Sequence, residues 1–83
     1  LDNSKSPAEI EAENKINEEI ASLENEIAQN VEWIAHNYES ISFWYSDTSD
    51  YGKTYVKNAR QSIKELETQN KKLKAEIKAL RTL

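Results

Sequence analysis

Acid–base or nucleophilic catalysis would have to use the single histidine or the carboxylates of this chain. His36 is the only imidazole among the 83 residues, and it falls away from the apolar positions of its predicted helix. Neighbouring carboxylates such as Glu18 and Glu19 lie on a helix surface, where no pocket would tune them for proton transfer. These residues therefore predict a solvated acidic face, no catalytic residue and no enzyme activity.

The residue types that bind metals and cofactors are also scarce in this chain. The chain has no Cys, one His and one Gly, which leaves no zinc ligand set and no phosphate-binding glycine loop. The segment from Asp47 partly resembles a calcium loop with Gly52 at its sixth position. However, Tyr51 occupies the fifth position, and Asn58 occupies the twelfth, where the loop needs the bidentate carboxylate of a Glu. We therefore expect no bound metal ion and no cofactor.

The aromatic residues form the strongest candidate site. All seven lie between Trp33 and Tyr55, in a stretch centred on the turn-forming residues 46–52. They cannot all be buried where two helices meet a loop, and exposed aromatics supply a large contact area with little entropy loss on binding. We predict either a partner-binding site, or a plug or dimer contact at the end of a hairpin. The candidate residues are Phe43, Trp44, Tyr45, Tyr51 and Tyr55.

Charge is divided unequally between the two halves of the chain. Residues 1–50 carry twelve acids and two bases, whereas residues 51–83 carry nine bases and three acids, so the halves should attract each other. The acidic half offers a candidate surface for a basic partner protein. Its proposed contact residues are Glu24, Glu32, Glu39, Asp47 and Asp50.

The bases of the second half recur at helical spacing, a pattern that is also typical of nucleic-acid binding. The net charge of −4 and the lack of a basic region ahead of the heptad repeat argue against nucleic acid and favour a solvated, partly paired face. We call this set of residues the basic stripe. It consists of Lys53, Lys57, Arg60, Lys64, Lys71, Lys74, Lys78 and Arg81.

Two amphipathic helices must position these groups. Ser6, Pro7 and Glu9 have the types and spacing of a capped helix start, and apolar residues then recur every three or four positions as far as Tyr45. We predict helix 1 over about residues 7–45 within a helical domain at 6–83, after a polar lead or tether at 1–5.

A second helix follows the turn-forming residues. Ser49 or Asp50 can cap it, and a strict heptad repeat runs from Val56 to Leu80. We predict a turn at about residues 46–50 and helix 2 over about 51–82. Taken alone, this repeat resembles a leucine zipper, so an extended parallel coiled coil is a competing arrangement.

The spacing of the two repeats favours a hairpin. When residues whose numbers sum to 100 face each other, from Trp44 with Val56 to Ile20 with Leu80, seven of the eight layers match in polarity. Asn30 then faces Asn70, so each amide can satisfy the other and penalise slipped registers. The predicted fold is an all-α, antiparallel two-helix coiled-coil hairpin. Because two helices bury only one seam, two hairpins could also pair into a four-helix bundle.

The overall plan of the chain resembles that of one group of bacterial surface proteins. A short polar lead, Leu1-Asp2-Asn3-Ser4-Lys5-Ser6-Pro7, precedes an acidic, Cys-free helical domain, as in the mature part of a small surface lipoprotein. In size and character the chain is similar to the complement factor H-binding lipoproteins of spirochaetes. The resemblance covers the whole chain and no individual motif. It implies a lipidated Cys just before residue 1, a place on the bacterial outer surface, and capture of a host complement regulator in immune evasion.

Other functions fit the same residues. One is an intracellular, cytoplasmic coiled-coil assembly or scaffold module that acts by self-association, and another is a nucleic-acid-associated zipper. Because the chain has no Met, we expect that residue 1 is not a translated start, and a trimmed or a processed protein would both account for this. A basic start, an apolar run and a Cys encoded upstream of Leu1 would favour the lipoprotein, and continued heptads would favour the assembly module. No apolar run in the sequence is long enough to span a membrane.

Overall fold

Two long helices make up the described part of the chain. A computed structural model describes residues 4–83, and residues 1–3, which begin the predicted tether, lie outside the described residues. Helix α1 runs over Pro7–Trp44 and helix α2 over Asp50–Arg81, and the two pack against each other. The predicted all-α helical hairpin is therefore confirmed.

The start of α1 has the predicted chemistry. Ser6 is the N-cap residue, and its hydroxyl accepts the backbone N–H of Glu9 at 3.2 Å, with Pro7 at the first helical position. The helix ends at Trp44, one residue before the predicted Tyr45, because the carbonyl of Trp44 accepts the N–H of Asp47 in a tighter turn. Side-chain and backbone hydrogen bonds thus define both ends of α1.

The short connection at residues 45–49 is held by side-chain caps. The Asp47 carboxylate accepts the backbone N–H of Ser49 at 2.9 Å, and the Ser49 hydroxyl accepts the N–H of Gly52 at 3.2 Å. Ser49 is therefore the N-cap of α2, and Asp50 is the first helical residue. Of the two capping residues that the sequence allowed, the serine takes this role.

Gly52 lies in the first turn of α2, where the chain of the connection passes very close. The residue is buried, and a Cβ atom at this position would lie 2.6 Å from the Cβ and the Cγ of Asp47. Such distances are shorter than van der Waals contact, so any other residue would have to displace Asp47. The only glycine of the chain thus allows the connection to close tightly on α2.

The seam between the helices has the predicted register. All sixteen positions of the eight layers are buried or half-buried, and the buried apolar residues are Ile20, Ala59, Ile63, Leu73 and Ile77. At the centre, the Asn30 amide donates a hydrogen bond to the Asn70 side-chain oxygen at 2.8 Å, as predicted. In the one layer of mixed polarity, the Asn37 amide turns back and donates to the carbonyl of Trp33 at 2.9 Å.

The hairpin is a rod with a thin core. It measures 69 × 16 × 16 Å, and its radius of gyration is 19.8 Å, whereas a globular domain of this length would have about 12 Å. Within residues 4–83, no large side chain is fully buried. In the same range, neither helix is apolar over enough of its length to cross a membrane.

The asparagine pair predicts a non-additive effect of mutation. Asn70→Leu alone leaves the Asn30 amide buried against an apolar side chain, and this should lower the free energy of unfolding by about 1–3 kcal/mol. Asn30→Leu should act alike, while the double variant forms an apolar layer and should regain most of the loss. Urea denaturation at one fixed protein concentration gives the double-mutant cycle. Asn58→Leu, at an exposed position of α2, serves as the control, and strictly additive losses would contradict the pairing.

Gly52→Ala should destabilise the hairpin, although alanine is favoured over glycine within helices by about 1 kcal/mol. The added methyl group meets Asp47 at 2.6 Å, and we expect a net loss of about 1–3 kcal/mol, typical of overpacking. Thr54→Ala, at an exposed position near the start of α2, is the matched control and should be neutral or stabilising. Equal thermal midpoints for the two variants would show that the close contact is not needed.

Candidate functional site

The end of the hairpin is closed by a cluster of four aromatic rings. Trp44 occupies the last layer of the seam and is half-buried. Its ring lies 5.4 Å from Phe43, 5.5 Å from Tyr51 and 5.2 Å from Tyr55, measured between ring centroids, and the first two contacts are edge-on. Aromatic pairs at such distances contribute about 0.5–1.5 kcal/mol each beyond the area they bury. Trp44 therefore anchors the other three rings.

The rings around Trp44 remain open to solvent. Phe43 is 77% exposed, Tyr51 is 67% exposed and Tyr55 is 39% exposed. We call these four residues, Phe43, Trp44, Tyr51 and Tyr55, the aromatic tip. Trp44 closes the last layer of the seam, whereas Phe43, Tyr51 and Tyr55 keep much of their apolar surface exposed.

Tyr45 is separated from this cluster. It follows Trp44 directly, and in the heptad it takes the same position as Val31 and Tyr38, on the other side of α1 from Phe43. The ring is 72% exposed. Of the five aromatic candidates, the structure thus brings four together and leaves Tyr45 on a lateral face.

Asp47 serves the connection between the helices. Its hydrogen bonds with the Ser49 side chain and with the Ser49 backbone N–H hold the pKa of this carboxyl below its usual value of 3.8. Hydrogen bonds to a carboxylate favour its ionised form. Asp47 was predicted as a contact for a basic partner, and one of its oxygens already has a structural role. Replacing it would therefore disturb the turn as well as the surface charge.

The other predicted acids are spread along the rod. Glu24 lies twenty residues before the end of α1, which is about 30 Å along the helix axis, and its carboxylate is 3.5 Å from the Arg81 guanidinium. Glu32 and Glu39 are exposed and one heptad apart, and Asp50 lies in the first turn of α2. Of these four acids, Glu39 and Asp50 are the nearest in sequence to the aromatic tip. The acidic residues consequently do not form a single patch.

One aromatic residue outside the predicted site lies on the same side of the hairpin. Trp33 is 59% exposed, and its ring meets the His36 ring edge-on at a centroid distance of 5.7 Å. It lines a shallow groove with Ser62, Leu66 and Gln69 of α2. The heptad position of Trp33, on the same side of the seam as Tyr55, could have identified it from the sequence. Trp33 extends the exposed aromatic surface away from the tip.

Groups suited to chemistry are sparse in the part of the chain that the structure describes. No three carboxylate or histidine side chains of residues 4–83 converge in a way that could hold a metal ion. His36 lies on the surface against Trp33. The arrangement of the tip is suited to contact with another molecule through apolar and aromatic surface.

Comparison with known proteins gives no further guide to function. No protein-family model matches the sequence, and comparison with the curated proteins and with the solved structures found no match.

Proposed function

We propose that this chain is a non-enzymatic binding module that captures a partner protein through its aromatic tip. The observation that carries the proposal is the exposure of Phe43 and Tyr51, each by two thirds or more, on rings held by Trp44. Exposed aromatic clusters of this kind are enriched at protein interfaces, where a few aromatic residues supply most of the binding energy.

The tip is also pre-organised for binding. The ring of Trp44 restrains those of Phe43 and Tyr51, and the capped connection fixes the start of α2 relative to the end of α1. A surface that is already ordered loses less conformational freedom when it binds. This supports recognition by a rigid end of the rod rather than by a flexible loop.

The charge near the tip favours a basic surface on the partner. Glu39 and Asp50 are exposed acids on either side of the connection. Charges at the rim of an interface chiefly raise the association rate and the selectivity, while the aromatic contacts supply affinity. We therefore assign the energetic role to the rings and the steering role to these two acids.

For the biological setting we propose an outer-surface protein, lipid-anchored ahead of residue 1, whose partner is the complement regulator factor H. Support for this setting comes from the resemblance in overall plan to the small spirochaetal lipoproteins. The acidic, rod-shaped hairpin with a binding site at one end is compatible with display away from a surface. The alternative, a coiled-coil assembly module, is favoured by one observation, the exposed Val31 and Tyr38 on the side of α1.

The proposal is tested by binding of purified factor H to the immobilised full chain. The double variant Phe43→Ala and Tyr51→Ala should weaken binding at least tenfold, since each interfacial aromatic typically contributes about 1–2 kcal/mol or more. Both side chains are exposed, so the helical circular dichroism signal should be unchanged. Ile10→Ala, an exposed apolar position near the start of α1, is the matched control and should bind like the unmodified chain.

The outcomes separate the parts of the proposal. Absence of factor H binding by the unmodified chain at micromolar concentration would reject this partner. Binding that is equally strong in the tip variant and in the control would reject the aromatic tip as the site. Asp50→Lys should slow association more than it speeds dissociation, and it leaves the Asp47 cap intact.

A further inference from the structure

Helix α1 carries a second row of small and apolar residues beside the seam. These residues recur at spacings of three and four, so they lie along one side of the helix, and all of them are exposed. Val31 and Tyr38 are 54% and 55% exposed. We call this row the lateral stripe. It consists of Ala28, Val31, Ala35, Tyr38, Ser42 and Tyr45.

The lateral stripe and the basic stripe of α2 belong to one face of the hairpin. Tyr38 lines a groove with Arg60, Lys64 and Glu67. Further along, Ala28 lines a second groove with Lys74 and Lys78. Both grooves include isoleucines of the seam, so α1 supplies the apolar half of this face and α2 supplies its positively charged half.

The basic stripe is largely unneutralised within the hairpin. Among residues 4–83, the ion pair across the two helices that involves it is Arg81 with Glu24, at 3.5 Å. The eight bases of the stripe are accompanied on their row by one acid, Glu67. A partner that brings carboxylates to the lysines and apolar groups to the lateral stripe would complement this face.

A second copy of the chain supplies both. On the outer side of the lateral stripe, away from α2, α1 carries exposed carboxylates at one heptad position, and we call them the acidic row: Glu18, Glu32 and Glu39. If two hairpins meet about a twofold axis parallel to the helices, α1 of each lies over α2 of the other. The lateral stripe then covers the aliphatic stems of the partner's lysines, and the acidic row meets their charged ends.

The levels of the charges along the rod agree with this arrangement. Residues level with each other across the seam sum to about 100, as Asn30 and Asn70 do, and a twofold axis along the rod preserves these levels. Glu39 is then within three residues of the level of Lys64, and Glu32 is within three of Lys71. Three residues correspond to about 4.5 Å along a helix, which these side chains can span.

Other ways of pairing bring like charges together. A twofold axis perpendicular to the helices would stack α2 on α2 and set the two basic stripes against each other. The opposite face of the hairpin carries four acids, Glu19, Glu26, Glu65 and Glu76, against two bases, Lys15 and Lys72, so self-association through that face would bring together two surfaces of net negative charge. Like charges in contact disfavour both alternatives.

The exposed area of the hairpin is sufficient for such a dimer. The chain exposes 6728 Å², whereas a compact monomer of 9.6 kDa would expose about 5,100 Å². The excess of about 1,600 Å² per chain is larger than the roughly 800 Å² that each partner buries in a stable interface. A second layer of helices would also cover one open side of the thin seam.

We propose that the face formed by the lateral stripe and the basic stripe binds a second copy of this chain, in a parallel twofold four-helix bundle. Both aromatic tips then lie at the same end of the rod. Phe43 and Tyr51 lie off this face, so the tips stay accessible. The dimer is independent of the proposed function, whereas the binding of a partner protein at each of the two tips rests on it.

Sedimentation equilibrium of the full chain tests the dimer. The expected mass is twice 9.6 kDa at micromolar concentrations. Val31→Lys with Tyr38→Lys places positive charge against the partner's basic stripe and should raise the dimer dissociation constant at least 100-fold. Trp33→Lys, an exposed aromatic on the opposite face, is the matched control and should leave the constant unchanged.

Charge exchange tests the arrangement of the helices. Lys64→Glu with Lys71→Glu should weaken the dimer at least tenfold, and adding Glu32→Lys with Glu39→Lys should restore it. A mass of 9.6 kDa at 100 µM, or an unaltered dimer in the Val31 and Tyr38 variant, would overturn the proposal. Failure of the fourfold charge variant to regain affinity would overturn the placing of α1 over α2. Retained factor H binding by a monomeric Val31 and Tyr38 variant would leave the tip assignment intact.

Discussion

The hydrogen bond between the Asn30 and Asn70 side chains fixes how the two helices meet. The remaining layers of the seam are mostly isoleucine, leucine, alanine and valine. If one helix were shifted by one heptad relative to the other, most of these apolar residues would still face apolar residues. A shift of one heptad in either direction would separate Asn30 from Asn70 and place the Asn30 amide against an isoleucine, Ile63 or Ile77, at a cost of about 1–3 kcal/mol. The pair therefore selects one register from several of similar apolar packing. Two heptads further on, that register places Trp44 opposite Val56 and brings four aromatic rings together.

The second constraint is the thinness of the core. Two helices share one seam, so most side chains face outwards, and their chemistry is sorted around the rod. Five of the seven aromatic rings lie at the tip or on the side of Trp33, while the lateral stripe of α1, which includes Tyr38 and Tyr45, shares the other side with the bases of α2. This sorting gives one short chain two separate surfaces, the aromatic tip that we propose binds an unlike partner and the lateral face that we propose binds a second copy. Pairing through the lateral face would thicken the core where a single seam provides little burial.

The sequence predicted the parts of this structure that depend on local and periodic signals. The Ser6 cap, the limits of α1 to within one residue and the asparagine layer all follow from spacing and capping chemistry. It placed Trp44 in the seam, but it did not predict that the rings of Phe43, Tyr51 and Tyr55 gather around Trp44, because these contacts depend on how the connection returns the chain. The sequence also did not predict the contact of Glu24 with Arg81, which forms between the two helices, or the hydrogen bond that the Asp47 carboxylate accepts from Ser49 in the connection. Both depend on side-chain conformations that the residue spacing does not specify. The pairing of Trp33 with His36 similarly required the geometry of the helix surface.

The most direct measurement of the fold-back is the distance between spin labels on cysteines introduced at Asn25 and Ala75. Both positions are exposed and point away from the seam, and the chain has no other cysteine. Labelled chain is mixed with a large excess of unlabelled chain, so that pulsed electron resonance reports distances within one molecule. The hairpin predicts a narrow distribution centred below about 30 Å, given helix axes about 10 Å apart. A distribution near 75 Å, about 1.5 Å for each of the intervening residues of a straight helix, would contradict it.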